Sequence, residues 1–161
     1  MKCLLSILFA FSLAACQSSG SPAQSSPESS SKHELNLKAK AYFASGCFWC
    51  VEAIFESVNG VEEVYNGYSG GHTDNPTYEG SNNTGSTGHA EAVEIIYDPE
   101  VVSFETLVTV YFGSQNIEQV NGQGNDRGSQ YRSIAFYQND NEKSIIDERV
   151  IALEMEGYKV G

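Results

Sequence analysis

The sequence predicts an α+β domain, a two-layer sandwich in which a mixed or antiparallel sheet carries helices on one face. Three observations predict it. The chain has 161 residues, 40% apolar and 11% aromatic, enough to bury one core and too few for two ordinary domains. Runs that alternate with a period of two are interspersed with runs whose apolar residues recur at helical spacing. No internal repeat is visible.

Taken in order, Ala39 to Ala44 (AKAYFA) is expected as a strand, and Ser45-Gly46 as the turn that opens a helix. Phe48, Val51, Phe55 and Val58 then recur at helical spacing, with Ile54 beside them and Glu52 and Glu56 between. Asn59-Gly60 is expected to end that helix. Val61 to Tyr68 follows as a second strand, closed by Ser69-Gly70-Gly71. The Gly-, Asn- and Thr-rich stretch from His72 to His89 reads as a loop, and a loop that long in a compact domain points to function. Glu91, Val93, Ile95 and Tyr97 alternate with Ala92, Glu94 and Ile96, which makes Ala90 to Tyr97 a strand. Asp98-Pro99 breaks it, and Ser103 caps a helix carrying Phe104, Leu107, Val108 and Tyr111. A second loop, Asn121 to Gln130, leads into an expected strand from Tyr131 to Tyr137. Asn139 with Glu142 forms a capping-box pattern before a last helix through Ile146, Val150 and Leu153. Gly157 stops that helix, and Tyr158 to Val160 looks like the start of a further strand.

Residues 1–15 read as an export signal. Met1-Lys2 is a positive start and Leu4 to Leu13 an apolar run, too short for the ~20 residues of a bilayer span. The run closes on Leu13-Ala14-Ala15-Cys16, which resembles a bacterial lipobox, so Cys16 is expected to carry lipid after cleavage. An ordinary signal peptide with an incidental cysteine is the alternative. Residues 16–37 read as a flexible tether, with eight serines, two prolines and one glycine between Gln17 and Ser31. Residues 38–161 form the folded domain. This organisation predicts an extracytoplasmic protein held at a membrane by its lipid. The net charge of −12 leaves no basic stripe for phosphates, which argues against a nucleic-acid partner.

The four cysteines, at 3, 16, 47 and 50, do not form a disulfide framework. Cys47 sits where a strand hands over to a helix, and the helix N-terminus there favours a thiolate and predicts a lowered thiol pKa. Cys50 lies one turn on, at a separation a disulfide tolerates. The pair reads as a redox dithiol, with a buried apolar pair and a thioredoxin-like motif as rivals. Zinc is disfavoured, because only His33, His72 and His89 remain and none has ligand spacing. Glu91 shares a strand face with Val93, Ile95 and Tyr97. Desolvation there would raise its pKa and make it a proton donor; the alternative is a strand-end glutamate that reaches solvent. Tyr78, Asp126 and Tyr131 lie in or beside the two long loops.

Gly46-Cys47-Phe48-Trp49-Cys50-Val51-Glu52 resembles the signature of the A-type peptide methionine-sulfoxide reductases. The resemblance continues through Gly60-Val61, Gly67-Tyr68-Ser69-Gly70-Gly71, Asn75-Pro76-Thr77-Tyr78-Glu79 and Thr87-Gly88-His89-Ala90-Glu91, then Gln123-Gly124-Asn125-Asp126 and Gln130-Tyr131-Arg132-Ser133. These blocks fall in family order between about Ala41 and Tyr137. The resemblance implies a ferredoxin-like plait and reduction of methionine (S)-sulfoxide, free or in proteins. Cys47 matches the nucleophile. Phe48 and Trp49 match the wall that receives the substrate methyl group. Glu91, Tyr78 and Tyr131 match groups that bind and protonate the sulfoxide oxygen, and Asp126 a supporting polar contact. Cys47 would become a sulfenic acid, Cys50 would condense with it, and an external thioredoxin-type dithiol would reset the site. No cofactor, no metal and a monomeric chain are expected.

The sequence departs from the family pattern in three places. Tyr78 to Glu91 is one residue longer, Asn116-Ile117-Glu118 replaces an Asp-Pro-Thr-like step, and the domain is C-terminally short, ending at Gly161. A thioredoxin-like oxidoreductase and a truncated, non-catalytic surface lipoprotein are the other readings of the chain.

Overall fold

The computed structural model describes residues 38–82 and 85–161. The expected signal peptide, Cys16 and the serine-rich tether lie outside the described residues. Along the described chain come strand β1 (Ala39–Ala44), helix α1 (Phe48–Glu56), strand β2 (Val61–Ser69), the short helix α2 (Tyr78–Asn82) and strand β3 (Ala90–Tyr97). Helix α3 (Phe104–Gly113), the two-residue strands β4 (Gly122–Gln123) and β5 (Asp126–Arg127), a 3-10 turn (Ser129–Tyr131), strand β6 (Ile134–Ala135) and helix α4 (Asp140–Met155) complete it.

The main sheet has the order β2-β3-β1-β6, and every pairing is antiparallel. Because β1 and β2 both run antiparallel to β3 between them, they are parallel to each other. With α1 joining them they form a split βαβ unit, as in the ferredoxin-like plait that the resemblance implies. One sheet face presents Ala41, Phe43, Val64, Val93, Ile95 and Tyr97 to Phe48, Val51 and Phe55 of α1 and to Phe104, Leu107, Val108 and Tyr111 of α3. Phe43 is at the centre: its fully buried ring stacks 5.4 Å from Phe55 and 4.8 Å from Tyr111. The other face is polar over Lys40, Tyr42 and Glu94, where the Tyr42 hydroxyl donates to Glu94 Oε2 at 2.7 Å. That bond and the carboxylate's charge push the Tyr42 pKa up to about 12.

Local signals account for most helix ends. Ser103 Oγ accepts the Thr106 amide at 3.1 Å and starts α3. Asn139 Oδ1 accepts the Glu142 amide at 2.9 Å, while Glu142 reaches back to the Gln138 amide at 2.7 Å, one residue before the reciprocal partner of an ordinary capping box.

Five expectations need correction. Helix α1 ends at Glu56 rather than at Asn59-Gly60, because the Ser57 amide and hydroxyl both turn back to the Ile54 carbonyl, at 3.2 and 2.6 Å. The His72–His89 stretch is not all loop, since Thr77 Oγ1 accepts the Gly80 amide and starts α2. The Asn121–Gln130 stretch contains the β4–β5 hairpin, turned at Gly124 with φ 57°. The expected strand from Tyr131 to Tyr137 shrinks to Ile134–Ala135, because Tyr131 is wound into a 3-10 turn whose carbonyl at Ser129 is held by the Arg132 guanidinium. Tyr158 to Val160 forms no strand: the Lys159 amide goes to the Glu118 carboxylate and the Gly161 amide to the Ile117 carbonyl.

Candidate active site

The site is built where β1 passes into α1. Gly46 takes φ +72° in the turn between them, and a Cβ there would lie 2.7 Å from the Gln123 side chain. Its amide donates to the Tyr131 carbonyl at 3.2 Å, which ties the 3-10 turn to this corner. Cys47 follows as the N-cap of α1, extended at φ −65°, ψ 118°. Its carbonyl accepts the Cys50 amide at 3.0 Å and the Val51 amide at 3.2 Å, so the helix begins on the cysteine itself. Its side chain does not cap the helix and is not in a disulfide.

A helix start leaves its first amides without intrahelical partners. Here the Phe48 amide is taken by Glu91 Oε2 at 2.9 Å, from the first turn of the pleat in β3. Glu91 is 2% exposed, so the solvated strand-end alternative does not describe it. Burial disfavours its charged form, while the amide donor and the positive end of α1 favour it. The carboxyl therefore sits between two opposing pulls, next in space to the residue that follows Cys47.

Four aromatic side chains gather over this corner. Phe48 is buried and lies 5.4 Å from Trp49, 5.7 Å from Tyr68 and 6.4 Å from Tyr78, ring centre to ring centre. Trp49 is 56% exposed and also lies 5.7 Å from Tyr78. The result is a wall with a buried floor and an open rim, suited to a small apolar group. Tyr131 completes the circle: burial raises its pKa, and the charges of Glu91, Asp126, Tyr78 and Cys47 raise it further.

Cys50 is exposed, and its thiol hydrogen-bonds with Cys47. Partial burial pushes the Cys50 thiol up, followed by the charge and hydrogen bond of Cys47 and the charges of Asp126 and Glu91. The structure thus brings Cys47, Cys50, Phe48, Trp49, Tyr78, Glu91, Asp126 and Tyr131 to one corner. Among the described residues no group of three or more His, Cys, Asp or Glu side chains could hold a metal.

Two residues escaped the sequence reading. Tyr68 stands opposite Glu91 in the β2–β3 register, and its hydroxyl is buried without a hydrogen-bond partner. Burial and then the charges of Glu91, Tyr78 and Tyr131 push its pKa up to about 12. A bulge hid it: the register shifts between Val61 and Glu63, so parity counted from Val61 turns Tyr68 to the wrong face. Arg132 is the other. Its guanidinium donates to the carbonyls of Ser129, Gly70 and Gly88 at 2.7, 3.3 and 3.0 Å. One side chain thereby fastens the segments that carry Tyr131, Tyr68 and Glu91.

Comparison with known proteins bears on this arrangement. A family model described as peptide methionine sulfoxide reductase matches residues 39–160. The chain is 46% identical over 121 residues to the peptide methionine sulfoxide reductase of Natronomonas pharaonis, covering 75% of this chain and 67% of that protein. It is 45% identical over 118 residues to that of Pasteurella multocida, covering 73% and 67%. Among solved structures, methionine sulfoxide reductase A of Corynebacterium diphtheriae superposes with a TM-score of 0.67 at 34% identity, covering 76% of this chain and 61% of that one. Reduced Mxr1 of Saccharomyces cerevisiae gives the same TM-score at 28% identity, covering 77% and 73%. The chain therefore spans about two thirds of the length of the curated relatives it matches.

Proposed function

The chain belongs to the peptide methionine sulfoxide reductase family, oxidoreductases that return methionine sulfoxide to methionine, and on that premise we propose how its own residues carry the reaction. The substrate methyl group rests on Phe48 and Trp49. The sulfoxide oxygen points to Glu91 and to the hydroxyls of Tyr78, Tyr131 and Tyr68. Cys47 attacks the sulfur, and Glu91 delivers a proton to the oxygen. Oxygen passes to Cys47, which becomes a sulfenic acid as methionine leaves. The Cys50 thiol then attacks the sulfenic sulfur, water departs and a Cys47–Cys50 disulfide forms. An external thioredoxin-type dithiol reduces that bond and is itself oxidised.

The observation that carries this reading is the Phe48 amide bond to buried Glu91 Oε2. It aims a carboxyl at the space beside Cys47, and a neutral acid there can protonate a departing oxygen. With the methyl group and the oxygen held by different groups and Cys47 approaching the sulfur from a third direction, the rest of the substrate has one place left, which selects one configuration at sulfur. The family resemblance makes that configuration S. The antiparallel plait and the family match set aside the thioredoxin-like alternative. An assay of the two methionine sulfoxide epimers beside insulin-disulfide reduction tests the reading. Reduction of the S epimer alone is expected, and insulin reduction without sulfoxide reduction would refute it.

We also propose that the protein acts outside the cytoplasm, tethered by lipid on Cys16 through residues 16–37. Leu13-Ala14-Ala15-Cys16 and the serine-rich stretch after it support this. A fatty-acid probe should label the wild-type chain and not Cys16→Ser; equal labelling of both would end the idea.

A further inference from the structure

The stretch from His72 to His89 begins and ends in a contact that the reaction above does not use. His89 is 7% exposed, and its Nδ1 is buried without a hydrogen-bond partner. Its ring lies on Gly71: a Cβ there would overlap Nδ1, Cγ and Cε1 together, so the face of the imidazole covers the glycine. Where a methyl group has no room, a water or ligand has none either, and the unpartnered nitrogen marks packing rather than binding. The arrangement is nearly reciprocal, since a Cβ on Gly88 would come 2.5 Å from Nδ1 of His72.

Between these two contacts the His72 amide donates to the Thr87 carbonyl at 3.1 Å, in register with the last β2–β3 pair, Ser69 with Ala90. The Arg132 guanidinium ties down the carbonyls of Gly70 and Gly88 beside them. The base of the stretch is therefore closed, and the stretch carries α2. The first residue of α2, Tyr78, has its ring 5.7 Å from Trp49 and 6.4 Å from Phe48. Tyr78 is 47% exposed, so its place depends on the chain that carries it. We infer that His89 is a positioning residue: by packing on Gly71 it closes the base of this stretch and holds the Tyr78 ring against Trp49. Its consequence for catalysis rests on the reading above, in which Tyr78 faces the sulfoxide oxygen.

Gly71 offers a clean probe of the contact. Its backbone lies outside the left-handed region, unlike that of Gly88 at φ +72°, so Gly71→Ala adds a methyl group without dihedral strain. A ring so fully buried has nowhere to step aside. The methyl group must part the two chains, and α2 shifts with them.

The test reads the fluorescence of Trp49, the one tryptophan of the chain, beside sulfoxide kinetics. Withdrawal of Tyr78 uncovers the indole, so Gly71→Ala and His89→Ala should each red-shift its emission and raise its quenching by acrylamide. Each should also lower kcat/KM for methionine (S)-sulfoxide by roughly 10- to 100-fold, the scale of a misplacement of about 1 Å. On the His89→Ala background Gly71→Ala should add nothing. On the Tyr78→Ala background His89→Ala should change either quantity by less than about twofold, because coupled residues are not additive. Should His89→Ala fail to fold, Gly71→Ala carries the same comparison, since Gly71 is exposed. Wild-type emission in a folded His89→Ala would overturn the proposal, as would a full loss on the Tyr78→Ala background. Shifted emission with wild-type sulfoxide kinetics is a different outcome: the packing role stands, and Tyr78 leaves the reaction.

Discussion

Tyr68→Phe separates stability from catalysis at this site. The Tyr68 hydroxyl is buried with no partner in the structure, and such a group costs about 1–3 kcal/mol relative to one that is satisfied or absent. Deleting one oxygen leaves the ring in place, 5.7 Å from Phe48, so no cavity of consequence opens. The variant should therefore melt at the wild-type temperature or a few degrees above it, since ~1 kcal/mol shifts Tm by roughly 2–8 °C across domains of this size range. Catalysis should move the other way. If the hydroxyl donates to the sulfoxide oxygen or to Glu91 as the proton leaves, the lost bond is of the charged kind, worth about 1.5–3 kcal/mol. At 1.36 kcal/mol per decade, sulfoxide reduction slows roughly 10- to 100-fold. With its pKa pushed up to about 12, the hydroxyl keeps its proton throughout the assay range, so the defect should be constant from pH 6 to 9. Thermal melts and single-turnover methionine release measure the two halves. A variant with unchanged rate would show the hydroxyl to be idle, and a slow variant with lowered Tm would show a structural role only.

Glu91→Gln should slow methionine release by roughly 10²–10⁴-fold while keeping both thiols titratable and the fold intact; a wild-type rate would remove the carboxyl from the chemistry. Arg132→Met removes three bonds from a charged donor to the Ser129, Gly70 and Gly88 carbonyls. Being partly exposed, these should lower stability by about 1–3 kcal/mol in chemical denaturation and raise KM for sulfoxide, and an unaltered midpoint and KM would contradict the fastening role. Alkaline melts test the tyrosines. The pKa values of Tyr42, Tyr68 and Tyr111 are each pushed up to about 12, so between pH 10 and 12 the unfolded chain has lost protons that the native one keeps. Stability is therefore full below pH 10 and falls as pH rises toward 12; a Tm level across that window would refute these shifts.

Much of the architecture was legible because its signals are local. Ser103, Asn139 and Gly157 mark helix ends through bonds or dihedrals that span a few residues. The alternation in Ala90 to Tyr97 places Glu91 on the buried face, as the structure has it. The misses are tertiary in origin. Tyr131 leaves strand conformation because Gly128 at φ 133° and the Arg132 guanidinium wind the chain there, and no pattern of apolar residues reports that. The two-residue strands β4 and β5 are too short to show a period. Tyr68 reaches the buried face through a single bulge, whose position becomes visible only when β2 is paired with β3. In the site, residue types announced Cys47, Cys50 and Glu91, but the convergence of Tyr78, Asp126 and Tyr131 depends on loops that Gly46, Arg132 and Gln123 draw together.

The central claim is that Cys47 takes the oxygen and Cys50 closes the disulfide. Rapid-quench release of methionine from the S-sulfoxide, with free thiols counted before and after and no reductant present, tests it most directly. The wild-type protein should release about one methionine per chain and lose both the Cys47 and Cys50 thiols. Cys47→Ser should release none, and Cys50→Ser should release one and then stall with a thioredoxin-type reductant. Sustained turnover by Cys50→Ser, or a burst from Cys47→Ser, would contradict the account.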